Sequence, residues 1–150
     1  ELTTGPEIVE DLGVAPDVFI AGIGTGGTIT GVGRFLRARG ASTAVIGIEP
    51  ESSPLLTRGV AGAHKIQGIG ANFIPDVLDR SVIDEVVTVS DEGALKFMEI
   101  LGKEEGIFTG ISSGAAISAT VDVCKQKNLT GKKIVTVLPD TGERYVSLLD

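Results

Sequence analysis

The chain has few of the residues that most often carry chemistry alone. It contains one cysteine, Cys124, and one histidine, His64, in 150 residues. That excludes an internal disulfide and a Cys-based zinc site and, with no second His or Cys nearby, leaves a metal site or Cys-His pair with little support. Cys124 falls in a helical run from Ser113 to Lys127 and reads as a buried, inert thiol. His64 reads as a loop histidine. Basic residues are outnumbered, 13 against 20 acids, for a net charge of −7, so no nucleic-acid partner is expected. There is no long apolar run and no basic segment leading into one, hence neither a membrane span nor a secretory leader is visible, and a soluble, cytoplasmic protein is expected. A hydrophobic fraction of 42% nevertheless argues for a packed core rather than disorder.

Glycine is plentiful, with 21 residues. It is densest in Gly22-Ile23-Gly24-Thr25-Gly26-Gly27-Thr28, between the apolar run Val18-Phe19-Ile20 and an amphipathic segment ending near Arg39. Such a turn reads as an anion cradle: glycines permit positive φ and close approach of backbone N–H groups, and the following helix adds the positive end of its dipole. A β-carbon at Gly26 or Gly27 is expected to weaken ligand binding by strain and obstruction.

Along the chain, Thr3 and Pro6 start a first helix that Gly13 ends. Asp17–Ile23 reads as a buried parallel strand, Thr28–Arg39 as a helix with Arg34, Arg37 and Arg39 mostly on its polar face, and Thr43–Glu49 as a second strand. Residues 52–75 form a long glycine-broken stretch, with one or two helical turns at Ser53–Leu56. Val82–Val89 is the third strand, and Ser90 caps a helix through Leu101. Gly106-Ile107-Phe108 is a short strand or turn, Thr109–Ser113 a polar hinge, Gly114–Lys127 a helix and Lys132–Leu138 the last strand. Strands alternating with helices predict one α/β domain over residues 1–150, a mainly parallel twisted sheet flanked by helices. Ligands bind at the carboxyl ends of such strands, and the loops after Ile23, Phe108 and Leu138 all lie there.

Two ligands fit the cradle. Gly22-x-Gly24-x-x-Gly27, with Glu49 at the end of the next strand, satisfies a dinucleotide fingerprint in which Glu49 holds a ribose. A plain tight turn is the bland alternative. The later loops favour a different reading. Thr4-Gly5-Pro6-Glu7-Ile8, Gly24–Thr28, Lys65–Pro75, Gly110–Ala115 and Asp140–Tyr145 occur in this order in the cysteine synthases. The chain resembles the C-terminal half of O-acetylserine sulfhydrylase, a pyridoxal 5′-phosphate (PLP) enzyme of the tryptophan-synthase β-like fold. Cystathionine β-synthase shares the first two motifs but differs at the others.

The resemblance implies that Gly24, Thr25, Gly26, Gly27 and Thr28 hold the cofactor phosphate. It places Ser112 at the pyridine nitrogen, where a neutral hydroxyl suits β-elimination and replacement better than racemisation or transamination. It assigns Gln67, Gly68, Ile69, Gly70 and Ala71 to a substrate loop whose glycines suggest mobility and water exclusion on closure. Asp140 and Thr141 would support the ring side, Ser113 would cap the following helix, and Arg144 and Tyr145 would order the C-terminal segment. Asn72 stands where the family usually has glycine. The lysine that binds the cofactor covalently lies in the N-terminal half of such enzymes. No lysine here has its sequence context, so these residues alone are expected to lack activity. The implied reaction forms L-cysteine from O-acetyl-L-serine and sulfide, in a homodimer with serine acetyltransferase as a further partner.

Overall fold

Two apolar runs set the architecture. Val18–Gly22 (β1) and Ala44–Pro50 (β2) pair in parallel, and nearly all their residues are buried. Glu85–Val89 (β3) adds to the outer edge of β2, and Ile134–Thr136 (β4) to the other side of β1. The computed structural model, which describes residues 1–143, thus shows one parallel sheet in the order β3-β2-β1-β4. Five helices accompany it: α1 (Thr4–Leu12), α2 (Gly27–Ala38), α3 (Leu55–Arg58), α4 (Asp91–Glu104) and α5 (Ile111–Lys127).

The period-two alternation of strand side chains decides which helix covers which face. Val18, Ile20, Ile46 and Ile48 point to one side and pack with Ala94 and Met98 of α4 and Ala115, Ala119 and Val123 of α5. Phe19, Ala21 and Val45 point to the other, against Ile29, Val32 and Leu36 of α2, with Ile8 and Val9 of α1 packed on the edge. The result is the expected α/β architecture, a parallel sheet between helical layers. No helix among the described residues is long and apolar enough to cross a membrane, and no cluster of His, Cys, Asp and Glu able to hold a metal occurs among them.

Several elements differ from expectation for identifiable reasons. β3 starts at Glu85 rather than Val82, because Arg80–Val82 form a 3₁₀ turn capped by Asp79. Asp84 then replaces a strand contact with a side-chain one, accepting from the Val45 N–H at 2.7 Å. Arg37, expected on the polar face, instead ties this corner together through Thr43 O and the Asp84 carboxylate. β4 is three residues rather than seven. Of the two readings of Gly106–Phe108 the strand is not formed, and the chain turns off α4 there with Gly106 at a φ of 68° and the Ile107 N–H donating to Leu101 O. An antiparallel bridge joins Thr109 to Thr141. α5 begins at Ile111, three residues ahead of Gly114, so Ser112 and Ser113 occupy a helical first turn and not a hinge.

Asp17 secures the entry to the β1–β4 pair. Its carboxylate accepts from the Lys133 N–H at 2.8 Å and meets Lys132 Nζ at 3.2 Å. The Lys133 N–H first, then Lys132, hold its pKa below the ordinary 3.8. A carboxyl whose pKa is depressed by folding stabilises fully above its unfolded value and loses that contribution as pH falls through the lower folded one. Asp17→Asn is therefore expected to flatten the acid limb of the stability curve below about pH 4 while lowering the plateau near neutrality. Urea midpoints measured across pH 2–7 check this, and parallel acid limbs in the two proteins would refute it.

Candidate functional site

The glycine turn leaves β1 at its carboxyl end and becomes the first turn of α2. Gly26 precedes that helix with φ of 84°, a conformation that glycine adopts without strain, and offers no capping side chain; the first turn of α2 also carries no acid. The first N–H groups of α2 have no intrahelical acceptors, and among the described residues no side chain caps them. α4, remote from the turn, is the opposite case: the Ser90 hydroxyl accepts from the Gly93 N–H at 3.0 Å, and Asp91 and Glu92 fill its first turn. The α2 start thus lacks both the side-chain cap and the first-turn acids that α4 has.

The open end faces a cavity of about 130 Å³ lined by Gly22 and Gly24 to Thr28, by Gly68 and Ile69, by Ser112 and Ala116, and by Val137 and Pro139. Four separate segments therefore meet at the carboxyl ends of β1 and β4. The fit is tight at three glycines, and a β-carbon at Gly22 would lie 2.7 Å from Ile69 Cγ2. A β-carbon at Gly24 would overlap the carbonyl oxygen of Gly68, and one at Gly26 would lie 2.8 Å from Leu78 Cβ. Gly27 differs: its φ is not positive, and the nearest protein atom to a β-carbon there would be Thr25 Oγ1 at 3.7 Å, so any obstruction at Gly27 would be of a ligand in the cavity it lines. A cavity walled by backbone amides, hydroxyls and an uncapped helix start, with no carboxylate in its lining, fits a phosphate-bearing cofactor.

The segment expected to act as a substrate loop contributes to the cavity in parts. Gly68 and Ile69 reach the cavity, Gln67 is exposed, and Gly70 and Ala71 line a smaller adjoining space with Asn72 and Glu49. Its glycines serve geometry: Gly68 and Gly70 have φ of 95° and 67°. Asn72 also adopts a left-handed φ of 59°, and its Oδ1 accepts from the Ser53 hydroxyl at 2.7 Å. Asparagine tolerates this conformation better than other side chains, which explains how it can occupy a glycine-like position.

At the start of α5 the two serines diverge. Ser112 lines the cavity, whereas the fully buried Ser113 donates to Asp140 Oδ1 at 2.6 Å and is not the helix cap; Gly110 occupies that position. Asp140 also accepts the Gly110 N–H on its backbone oxygen at 3.3 Å, and Thr141 bridges Thr109. Asp140 and Thr141 thus brace the segment that presents Ser112 without lining the cavity themselves. Arg144 and Tyr145 lie outside the described residues.

Glu49 is buried with its carboxylate fully engaged. It accepts from the N–H groups of Leu56 at 2.7 Å and Thr57 at 3.0 Å and from the Thr57 hydroxyl, holding the start of α3. A ribose would have to reach a buried carboxylate that already accepts three hydrogen bonds. Sequence reasoning brought the loop after Leu138, which starts at Pro139, to the ligand, but missed Val137 and Ala116 in the lining and Leu78 under Gly26, for which no local signal exists.

Comparison with known proteins agrees with this geometry. The family model described as pyridoxal-phosphate dependent enzyme matches residues 2–140. Cysteine synthase from Staphylococcus aureus is 47% identical over 148 residues, 98% of this chain and 47% of the relative, so the chain spans about half the length of the curated relatives it matches. Among solved structures, a hydrogen sulfide-producing enzyme from Fusobacterium nucleatum superposes with a TM-score of 0.92 at 42% identity, over 96% of this chain and 49% of that one. O-acetylserine sulfhydrylase isoform 3 from Entamoeba histolytica superposes with a TM-score of 0.92 at 40% identity, over 96% of this chain and 43% of the other. A match running through every segment that walls the cavity shows that the chain belongs to the pyridoxal-phosphate dependent enzymes.

Proposed function

We propose that these residues form the cofactor-phosphate domain of a cysteine synthase, which makes L-cysteine from O-acetyl-L-serine and sulfide by β-replacement. The observation that carries the reading is the uncapped α2 terminus opening on a cavity that Ser112 also lines. Gly24 to Thr28 would hold the 5′-phosphate by backbone N–H groups and hydroxyls, with no need of a local cation. When bound, PLP supplies the electron sink for loss of the β-substituent.

Ser112 would donate its hydroxyl to the ring nitrogen, which leaves that nitrogen unprotonated and the sink weak enough to favour β-replacement over transamination. Gly68 and Ile69 would wall the substrate side and exclude water from it. Among the described residues no lysine lines the cavity, so the covalent lysine is assigned to a part of the protein outside them. A cytoplasmic homodimer, with serine acetyltransferase as a partner, is the assembly this family assignment supports.

The test is the native protein with PLP. A visible absorbance band that shifts on adding O-acetyl-L-serine, and cysteine formed once sulfide is present, are the expected results; absence of any band would sink the proposal. Ser112→Ala is expected to cut turnover on the order of tenfold or more, as loss of a charge-tuning donor should, while cofactor affinity changes by only a few-fold. Affinity lost in proportion to turnover would assign Ser112 to anchoring alone.

A further inference from the structure

We propose that His64 is a positioning residue that latches the pocket loop into a preformed wall. The geometry stands on its own; only its catalytic readouts rest on the PLP reading above. His64 Nε2 lies 2.9 Å from the carbonyl oxygen of Gly70. A carbonyl can only accept, so Nε2 carries the proton and donates. That bond closes residues 64–70 into a ring. The ring is fastened at both ends: the Lys65 N–H donates to Asp91 Oδ2 at 3.0 Å, and the Gly70 N–H donates to Ile23 O, at the end of β1, at 3.0 Å.

Between the fastenings, Ile66 is fully buried and Ile69 nearly so, both in the core cluster on the α4–α5 side of the sheet. These anchors turn Gly68 outward, its carbonyl against Gly24 and its backbone on the cavity. Gly70 has to be glycine for the latch to form, since a β-carbon there would lie 2.7 Å from His64 Nε2 and 2.6 Å from Pro50 Cγ. The loop is therefore fixed by hydrogen bonds to distant elements, contrary to the mobility its glycines suggest. His64 is the one side chain in the ring that bonds the ring to itself, and it does so at the residue that also joins β1.

The experiment uses the native protein with His64→Ala and His64→Gln, because a glutamine amide can also donate to the Gly70 carbonyl. Two readouts apply. Trypsin cleavage after the exposed Lys65 reports loop order without any cofactor, and PLP affinity with KM for the amino-acid substrate reports the wall. His64→Ala is expected to speed cleavage and to weaken cofactor and substrate binding, each by about five- to tenfold, the worth of one hydrogen bond, with kcat and Tm moving little. His64→Gln is expected to recover most of this. Wild-type rates in His64→Ala would overturn the latch, as would a glutamine variant no better than alanine. Should His64→Ala fail to fold, slow cleavage in His64→Gln supports the latch and fast cleavage overturns it. If the wild type binds no PLP, the cofactor reading fails while the cleavage comparison still decides the latch.

Discussion

Gly24→Ala is expected to lower PLP affinity on the order of 100-fold and to destabilise the fold by about 1–3 kcal/mol. The new β-carbon would overlap the carbonyl oxygen of Gly68, and both partners are backbone, so no rotamer change relieves the clash. The loop must retreat, and the nearest restraint on it is the Gly70 N–H bond to Ile23, one residue before Gly24. Retreat therefore pulls on the cradle itself and shifts the amides that would face the phosphate. Gly27→Ala is the matched control. Its β-carbon has open space, and alanine is the better helix former at the start of α2, so stability should hold or rise by up to about 1 kcal/mol. Titration of both variants with PLP, alongside urea unfolding, separates the cases. If Gly27→Ala lost stability as severely as Gly24→Ala, close packing of the loop on the cradle would not be what the glycine at 24 secures; its affinity is no control, because Gly27 itself lines the cavity.

The sheet was legible because its two central strands are apolar on both faces, and a run such as Val18-Phe19-Ile20 feeding glycines fits a buried parallel strand far better than a surface helix or loop. The edges were less so. Val82-Ile83 continues the apolar pattern of β3, yet Asp84 takes the Val45 N–H on its side chain and Arg37 reaches over from α2, contacts that no local window contains. The cradle and Ser112 could be placed from motif order, while the division of labour between Ser112 and Ser113 could not. It depends on Asp140, 27 residues from Ser113, accepting the Ser113 hydroxyl. How the loop is anchored was illegible for the same reason. Glycine content suggested motion, while the bonds that tie the loop in this conformation run from Lys65 to Asp91 and from Gly70 to Ile23. Glu49 shows the limit of a motif that matches: the spacing of a ribose acid is present, and the carboxylate is already committed to α3.

Gly114→Ala is expected to destabilise the protein by about 3 kcal/mol, at the upper end of the cost of overpacking. Gly114 sits where α5 crosses α4, and a β-carbon there would overlap Ala94 O and stand 2.7 Å from Met98 N and 2.9 Å from Met98 Cβ. Separating the helices would open the cluster that holds Ala94, Met98, Ile111 and Ala115, all buried against the sheet. It would also move the first turn of α5, where Ser112 faces the cavity and Ser113 is tied to Asp140, so cofactor binding should fall with stability. The same substitution on the partner helix should have the opposite sign. Gly102 is exposed in α4, a β-carbon added there would have no neighbour within 4 Å, and alanine should gain about 0.5–1 kcal/mol from helix propensity. Urea midpoints for the two variants test the pair. Equal shifts would mean that helix propensity outweighs the crossing, and the glycine at 114 would then have no packing reason to be there.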